Sequence, residues 1–496
     1  MNYNSTRNNE IKVTAAQAIA KGIAPDGGLF VPENIPVLKK EDFEKLGTLS
    51  YVDRASYILK NYLTDFTDED IKHCTTGAYE GTFENNEPAP LHTLNDTTEI
   101  LELWHGPTCA FKDLALQLLP YLLTTSAKKV GNGKETVILV ATSGDTGKAA
   151  LEGFKDVEGT RIIVFYPNDG VSPMQKFQMC TQKGENVSVC AINGNFDDAQ
   201  SAVKTIFTDA DTAKLLDENS MQFSSANSIN WGRLAPQIVY YVSAYCDLLK
   251  KGKIVDKEKF NIVVPTGNFG NILAAYYAKK MGVPVNKLIC ASNSNNVLTD
   301  FLKTGKYDRN RKFYTTVSPS MDILISSNLE RMLYELSDRD DTLIAQWQTQ
   351  LAKDGTFIVN EKVKTRLDDV FFGGCCDDKN TLATIKETYE KYGYLCDTHT
   401  AVAVAVYNDY VNTTGDNTVT VIASTASPYK FSASVLSAFG ENAPKEEFDA
   451  VDMLNDITGA SIPAPLKALK QATVRFNDVC EKSDIKNTVL GYLNIK

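Results

Sequence analysis

Short apolar runs alternate with helical patterns along most of the chain after residue 96. Between the runs lie segments whose apolar residues recur at helical spacing, such as 148–155 and 198–208. Seven runs have the length and the Val, Ile and Leu content of buried strands: residues 100–104, 136–141, 161–166, 187–192, 260–264, 288–291 and 418–423. Because parallel strands are joined by crossover helices and covered on both faces, this alternation predicts an α/β fold built on parallel sheets.

The first 95 residues follow a different pattern, which predicts a small, mostly helical N-terminal domain. Apolar residues recur at helical spacing over 15–20, 41–62 and 67–80. The polar stretch 84–90 contains two prolines and favours a domain boundary. We therefore divide the chain into four parts: 1–95 as the N-terminal domain, 96–306 with 398–440 as the α/β core, 307–397 as a helical insertion and 441–496 as a C-terminal segment.

The composition disfavours several classes of protein. The formal net charge of −11 is unfavourable for binding nucleic acid or an anionic membrane, and no apolar run reaches the ~18 residues of a membrane span. The ten cysteines form no CxxC pair, the four histidines are dispersed, and residues 1–5 do not resemble a secretion signal. We therefore expect a cytoplasmic protein with reduced thiols, no metal site, and neither a nucleic-acid nor a membrane partner.

Lys112 occupies a position where a loop after the first apolar run becomes a helix N-terminus. The positive end of the helix dipole lies there, so the pKa of this lysine is expected to be lowered. A neutral lysine amine can form a Schiff base with an aldehyde. The alternative is a solvated surface lysine that opens a helix, and the motif alone does not decide between them.

Two further loops between a strand and a helix carry groups that bind anions. Ser143, Gly144, Asp145 and Thr146 offer hydroxyls and backbone N–H groups to a carboxylate or a phosphate. The alternative for this loop is an ordinary helix cap. The second loop consists of Gly267, Asn268, Phe269, Gly270 and Asn271, and its glycines would let a phosphate approach the backbone closely. The loop lacks the Gly-Lys-Ser/Thr ending of a Walker nucleotide-binding loop, and it lacks the GxGxxG spacing of a dinucleotide-binding site.

Hydroxyl, amide and guanidinium groups at two other strand ends complete the candidate site. Ser424 and Thr425 follow the last apolar run, and such a hydroxyl either binds a ring nitrogen or caps the next helix. Asn227, Ser228 and Arg233 form a candidate anion pocket, since an arginine fork binds phosphate in a bidentate manner. The alternative for this last set is a capped helix start with an exposed arginine.

Together these motifs match the chemical groups of one cofactor and its substrate. A lysine for an aldehyde, a glycine cradle for a phosphate and a hydroxyl for a ring nitrogen are the groups that hold pyridoxal 5′-phosphate. The sequence also resembles the threonine synthase family, in its longer bacterial and fungal branch. The resemblance runs almost from end to end of the chain. It is carried by residues 5–7, 22–32, 105–113, 141–147, 166–178, 227–240, 265–271, 318–323, 326–331, 399–402 and 424–431.

The resemblance implies a fold and a reaction. The fold is that of the fold type II pyridoxal-phosphate enzymes, with two parallel-type α/β domains and the cofactor between them. The reaction converts O-phospho-L-homoserine and water to L-threonine and phosphate, carried out by a monomer or a homodimer. Lys112 is implied to bind the cofactor as a Schiff base, the 267–271 loop its phosphate, and Thr425 or Ser424 its ring nitrogen.

The resemblance also implies how the substrate binds, and it leaves two alternatives. The 143–146 loop would hold the substrate carboxylate, and Asn227, Ser228 and Arg233 would hold its phosphate. One alternative is a related β-eliminating enzyme, such as a serine or threonine dehydratase or an O-acetylserine sulfhydrylase, whose substrates carry no phosphate. The other is a non-catalytic protein that binds the cofactor.

Three residues depart from the family pattern. Ser427 stands where the family often has histidine, Tyr429 where it usually has a small residue, and Thr398 where proline is common. These departures leave the cofactor assignments intact. Because position 427 is a serine in this chain, a role of the family's histidine cannot be transferred to it.

Overall fold

The computed structural model describes residues 1–131, 133–142, 144–169 and 171–495. Within these residues the strands, in chain order, are Tyr3–Ser5 (β1), Asn8–Val13 (β2), Phe30–Pro32 (β3), Leu91–Thr93 (β4), Thr98–Glu102 (β5), Glu135–Ala141 (β6), Thr160–Pro167 (β7), Val187–Asn193 (β8), Met221–Ser224 (β9), Phe260–Pro265 (β10), Val285–Ser292 (β11), Lys306–Asp308 (β12), Thr356–Ile358 (β13), Phe371–Cys375 (β14), Thr420–Ser424 (β15) and Val479–Glu481 (β16).

Helices cover most of the remaining chain. In chain order they are Ala15–Lys21 (α1), Lys40–Thr48 (α2), Tyr51–Lys60 (α3), Asp68–Tyr79 (α4), Lys112–Leu116 (α5), Leu119–Val130 (α6), Asp145–Phe154 (α7), Pro173–Cys180 (α8), Phe196–Thr208 (α9), Ala210–Glu218 (α10), Trp231–Lys250 (α11), Gly270–Lys280 (α12), Val297–Thr304 (α13), Leu329–Leu336 (α14), Asp341–Asp354 (α15), Glu361–Val370 (α16), Asp378–Tyr392 (α17), Thr398–Thr414 (α18), Ser432–Ala438 (α19), Glu447–Thr458 (α20), Ala464–Leu469 (α21) and Ile485–Tyr492 (α22). Short 3-10 helices lie at Glu84–Asn86, Pro319–Met321, Pro428–Phe431 and Lys482–Asp484.

The larger sheet has the strand order β14-β11-β10-β15-β5-β4. All neighbouring strands in it are parallel except β4, which pairs antiparallel with β5. The central strands β10 and β15 are buried along their whole length, which explains their continuous apolar runs. Because β5, β10 and β15 are neighbours and parallel, the loops that follow them meet at one edge of the sheet.

The smaller sheet has the order β16-β8-β7-β6-β9, and all of its pairs are parallel. The 143–146 loop follows β6, and the loop that contains Asn227 follows β9. The two parallel α/β sheets agree with the predicted fold class, and each of the seven predicted strands is present with its ends shifted by a few residues.

The long helix α11 lies in the protein interior. It is apolar and buried around almost its whole circumference, as expected for a helix enclosed by others, and it packs against α2, α3, α5 and α12. Arg233 lies in its first turn. The helix therefore carries a guanidinium into the protein interior.

Some strands lie in regions whose sequence pattern does not predict them. The N-terminal region holds an antiparallel sheet, β2-β1-β3, in addition to its helices, and strands of three to six residues are too short to show a clear period. The segment 307–397, expected to be helical, contributes β14 to the edge of the larger sheet. Two adjacent glycines, Gly373 and Gly374, weaken the strand pattern of β14 in the sequence. A side chain does not fit at Gly374, because a Cβ there would lie 2.6 Å from the side chain of Val406. The C-terminal segment contributes β16 to the smaller sheet.

Two kinds of feature are absent from the described residues. None of the helices in these ranges is long and apolar enough to cross a membrane. The same part of the chain contains no group of three or more His, Cys, Asp or Glu side chains that is arranged to hold a metal ion.

Candidate active site

Lys112 is the first residue of α5, as the sequence predicts. Backbone contacts bring its loop beside the loop after β15: Ala110 forms an antiparallel bridge with Ala426, and the N–H of Phe111 donates to the carbonyl of Thr425 at 2.8 Å. Lys112 and Thr425, which are far apart in the sequence, therefore lie at the same sheet edge.

The hydroxyls of Ser424 and Thr425 differ in how many partners they have. Ser424 Oγ accepts hydrogen bonds from the indole N–H of Trp104 and from the hydroxyl of Thr400, both at 3.0 Å. Among the described residues, the Thr425 hydroxyl has no hydrogen-bond partner, and the residue is only 6% exposed. Of the two candidates for the ring nitrogen, Thr425 is therefore the one with a hydroxyl available for a ligand.

The 267–271 loop presents a row of unused backbone donors. In the described part of the chain, the N–H groups of all five residues lack an acceptor. Phe269 has a φ of 62° although it is not glycine, a strained conformation that turns successive N–H groups the same way. The side-chain nitrogen Nδ2 of Asn271 is buried without a partner, while its Oδ1 accepts from Tyr241. Such a set of unpaired donors is suited to an anion with several oxygens.

The segment after residue 317 supports this loop, a function that the sequence pattern does not indicate. The Ser326 hydroxyl donates to the carbonyl of Gly267 at 2.7 Å, and the N–H of Asn328 donates to the carbonyl of Asn268 at 3.1 Å. A Cβ on Gly267 would lie 3.0 Å from the carbonyl oxygen of Ser320. These carbonyl contacts leave the N–H groups of the loop turned toward the site.

The loop after β6 also offers donors, although Ser143 lies outside the described residues. The Thr142 hydroxyl accepts from the N–H groups of Gly144 and Gly147 at 3.0 and 2.9 Å. Gly144 has a φ of 143°, and a Cβ on it would lie 2.4 Å from the side chain of Gln175. Across the described ranges, the N–H groups of Asp145 and Thr146 have no acceptor, and the Thr146 hydroxyl is also free. The N-terminus of α7 can therefore bind an anion.

The side chain of Asp145 points toward cations. Lys430 Nζ lies 2.7 Å from its Oδ1, Gln175 Nε2 donates to it at 3.0 Å, and Lys112 Nζ lies 3.8 Å from its Oδ2. Burial acts to raise the pKa of Asp145, but Lys430 and Lys112 outweigh burial and lower it. A carboxylate cannot itself bind a substrate carboxylate, so this residue can contribute only its N–H to such a ligand.

Burial also governs the pKa of Lys112. Desolvation lowers the pKa of its amine, Asp145 opposes this change, and the charges of Lys430 and Arg233 lower it further. The helix that begins at Lys112 has only five residues. The lowered pKa expected from the sequence is thus present, but burial and neighbouring cations are its main causes.

Arg233 is buried without a carboxylate partner in the part of the chain that the structure describes. Its Nη1 donates to the carbonyl of Ala226, and its Nε has no partner. Burial lowers the pKa of Arg233 to about 10, so it remains a cation at neutral pH. Asn227 is exposed and Ser228 is half-buried in the loop before α11, and Asn328 connects the carbonyl of Ser228 to the 267–271 loop.

Lys430 escaped prediction because its partner, Asp145, is distant in the sequence. Asp145 and Lys430 are 285 positions apart, and nothing local pairs them. One signal was present: Lys430 is a charged residue between the buried strand β15 and the helix α19, and Lys112 likewise follows the buried strand β5 where a helix begins.

Three family models together match most of the chain. They are described as threonine synthase N terminus, which matches residues 2–79, pyridoxal-phosphate-dependent enzyme, residues 86–360, and threonine synthase, C-terminal, residues 400–489. This chain belongs to the threonine synthase family. The predicted family is therefore confirmed, and with it pyridoxal phosphate as the cofactor.

Individual relatives agree with this membership. A threonine synthase of Pseudomonas aeruginosa is 38% identical over 445 residues, which is 90% of this chain and 92% of that protein. The solved structure of the threonine synthase from Brucella melitensis with bound PLP has a TM-score of 0.89 and 35% identity, and 99% of each chain is covered. Human threonine synthase-like 1 is 42% identical over 443 residues, 86% of this chain, but the chain spans only 59% of the length of that relative.

The residues around Lys112 fit the cofactor of the family. The 267–271 loop has unpaired N–H groups and a buried, unpartnered amide nitrogen for a phosphate. Thr425 has a free hydroxyl for a ring nitrogen. Within the described residues, Lys112 Nζ makes no hydrogen bond, so its amine is available for an aldehyde.

Proposed function

We propose that this chain is a threonine synthase, which converts O-phospho-L-homoserine and water to L-threonine and phosphate. The observation that carries the proposal is the guanidinium of Arg233, which is buried without a carboxylate partner among the described residues and is close enough to Lys112 to lower the pKa of its amine. A buried cation without a partner is costly unless a ligand neutralises it. The substrates of serine dehydratases and of O-acetylserine sulfhydrylases carry no phosphate and would leave Arg233 unpaired.

Specific residues would hold the cofactor. Lys112 would bind its aldehyde carbon as a Schiff base, the N–H groups of 267–271 with Asn271 Nδ2 would bind its phosphate, and the Thr425 hydroxyl would bind its ring nitrogen. When bound, pyridoxal phosphate supplies a sink for the electrons released when the substrate loses its Cα proton. A neutral hydroxyl beside the ring nitrogen moderates that sink, because it does not stabilise a protonated ring as a carboxylate would.

The substrate anions would bind at two places. The N–H groups of Asp145 and Thr146, together with the hydroxyls of Ser143 and Thr146, would bind the carboxylate at the positive end of α7. Arg233 would bind the phosphate, with Asn227 and Ser228 beside it. These two contacts would fix the orientation of Cα and Cβ relative to Lys112.

Lys112 would also move protons during the reaction. While the substrate is bound, the Lys112 amine would lie tethered beside Cα, and its lowered pKa would leave it able to accept the Cα proton. Arg233 would stabilise the negative charge that develops on the leaving phosphate. In the overall conversion, the bond from Cγ to the phosphate oxygen and one Cβ–H bond would break, the oxygen of water would bond to Cβ, and Cγ would gain a proton. These changes give the hydroxyl and the methyl group of threonine.

The proposal is tested by measuring which substrate the purified, cofactor-loaded protein uses. We expect phosphate and threonine to form in equal amounts from O-phospho-L-homoserine, with little turnover of L-serine or O-acetyl-L-serine. Release of pyruvate from serine without phosphate release from O-phospho-L-homoserine would contradict the proposal and favour a dehydratase. Bound cofactor with no turnover of any of the three would favour a non-catalytic protein.

A further inference from the structure

A second lysine, Lys430, is buried beside Lys112 and has no assigned role. It lies in the Pro428–Phe431 turn after β15, and its side chain is fully buried. Its Nζ makes an ion pair with Asp145 Oδ1 at 2.7 Å and donates to the carbonyl of Thr108 at 2.8 Å. A lysine side chain is rarely buried to this extent unless it is paired, and Asp145 supplies the opposite charge for Lys430.

The two lysines share one carboxylate but hold it unequally. Lys430 contacts Asp145 at hydrogen-bond distance, whereas Lys112 Nζ lies 3.8 Å from the other oxygen. One negative charge cannot neutralise two ammonium groups in a buried site. Because Lys430 occupies Asp145 at the shorter distance and places a second positive charge nearby, the Lys112 amine loses its proton more easily.

We propose that Lys430 is a positioning residue that keeps the Lys112 amine uncharged, by occupying Asp145 and by adding its own positive charge nearby. The proposal deepens the proposed function, on which it rests, because a neutral Lys112 is the form that reacts with the cofactor aldehyde and accepts the Cα proton. Lys430 acts through Asp145 and Lys112 and contacts no reacting atom.

Two other charged groups near Lys112 change the pKa of its amine in opposite directions. Arg233, on α11, lowers the pKa of Lys112 in the same direction as Lys430. Asp113, on the same helix as Lys112, acts in the opposite direction, and both of its oxygens accept from Thr108 at 2.6 and 2.8 Å. Burial raises the pKa of Asp113 to about 6, so at neutral pH its carboxyl is mostly ionised and offsets part of the effect of the two cations.

The test measures how readily Lys112 is acetylated as pH changes. The full chain, stripped of cofactor, is labelled with acetic anhydride from about pH 6 to about pH 11, a range that includes ordinary and lowered lysine pKa values. Mass spectrometry of the peptide that contains Lys112 then gives the fraction of neutral amine. The variant Lys430→Met is compared with Lys148→Met, a matched control that removes another buried lysine, one paired with Glu152 and not with Asp145.

We expect Lys430→Met to raise the pKa of Lys112 and Lys148→Met to leave it unchanged. Labelling of Lys112 near neutral pH should fall about tenfold for each unit by which its pKa rises. Lys430→Arg, which retains the charge, should restore most of the labelling. An unchanged pKa of Lys112 in folded Lys430→Met would overturn the proposal, as would an equal rise in the Lys148→Met control.

A second pair of variants covers the case in which Lys430→Met does not fold. Asp145→Asn is compared with Asp145→Asn/Lys430→Met, in which neither charge of the pair is present and no buried carboxylate is left unpaired. We expect Lys112 to label less readily in the double variant than in Asp145→Asn, because only the repulsion from Lys430 differs between them. Equal labelling would overturn the proposal.

The labelling result is independent of turnover. If the wild-type protein fails to release phosphate from O-phospho-L-homoserine while its Lys112 pKa still depends on Lys430, the proposed function fails and the role of Lys430 stands. If turnover is present and the pKa does not respond, the role of Lys430 alone fails. In the loaded enzyme, the acidic limb of the pH profile of kcat should move to higher pH in Lys430→Met, because kcat reports the groups that titrate while the substrate is bound.

Discussion

Several side chains at this site lack hydrogen-bond partners among the described residues. Within the described ranges, Arg233 Nε and Asn271 Nδ2 are buried without a partner, although buried polar groups in native proteins are almost always hydrogen-bonded. Lys112 and the Thr425 hydroxyl are likewise without hydrogen bonds in the described part of the chain. Unpaired groups at a site destabilise the ligand-free protein, and a cofactor and a doubly anionic substrate would relieve that cost.

Replacement of Lys112 tests its covalent role. We expect Lys112→Ala to lose the absorbance of covalently bound pyridoxal phosphate and to lower kcat by at least about a thousandfold, because both the tethered aldehyde partner and the base at Cα are removed. The absorbance spectrum and the turnover rate are measured on the same preparation. Retention of both would exclude Lys112 as the cofactor-binding lysine.

Replacement of Arg233 separates substrate binding from cofactor binding. A charge-assisted bidentate contact is worth about 3 kcal/mol, so Arg233→Gln should lower kcat/KM for O-phospho-L-homoserine by about a hundredfold. The affinity for pyridoxal phosphate should stay within about twofold of wild type, since other residues hold the cofactor. A large loss of cofactor affinity with unchanged KM would mean that Arg233 serves the cofactor instead.

At the scale of elements, the site is built by loops at the ends of parallel strands and by helix N-termini that begin there. The loops after β5, β10 and β15 bring together Lys112, the 267–271 loop and Thr425, and the loop after β6 supplies the N-terminus of α7. Their conformations depend on particular residues. Gly144 is one of these, because it has a positive φ and lies against Gln175, which in turn holds Asp145.

Gly144→Ala should therefore disturb the start of α7. The added Cβ would displace Gln175 from Asp145 and strain the backbone, so we expect a raised KM for the substrate and a stability loss of about 1–3 kcal/mol. Gly159→Ala is the matched control: its φ is 76°, but no atom lies within 4 Å of the added Cβ. The control should lose stability without a change in KM. A normal KM in Gly144→Ala would show that the loop does not bind the substrate.

At the scale of the whole molecule, the N-terminal region is joined to the segment that supports the 267–271 loop. Glu330 accepts from Arg7 Nε and Nη2 at 2.9 and 2.7 Å and from the hydroxyl of Thr6 at 2.5 Å. The next residue, Arg331, donates to the carbonyl of Phe30 at 3.0 Å. The 267–271 loop is therefore supported indirectly by the first strands of the chain.

Removal of this connection should weaken the fold. Glu330 is buried and paired with Arg7, so Glu330→Ala should lower the free energy of unfolding by about 3 kcal/mol, measured by urea denaturation. Asp452→Ala is the control, because it breaks an exposed pair with Lys470 and should cost less than about 1 kcal/mol. Equal losses in the two variants would mean that Glu330 contributes no more than a surface charge.

The sequence predicts the parts of this molecule that depend on local pattern. Buried parallel strands are continuous apolar runs, so seven of them can be recognised from the sequence alone. The glycine-rich turn at 267–271, which follows one of these strands, can be recognised in the same way. β14 is obscured by its two glycines, and β16 is only three residues long. The contacts of Asp145 with Lys430, and of Ser326 with Gly267, form between residues that only the folded topology brings together.

The most direct test of the central claim is to run the reaction in water labelled with oxygen-18. The proposed mechanism breaks the bond between carbon and the phosphate oxygen and adds water at Cβ. We therefore expect one labelled oxygen in the hydroxyl of threonine and none in the released phosphate. Label in the phosphate, with homoserine as the other product, would mean that the protein hydrolyses the phosphate ester and would contradict the account.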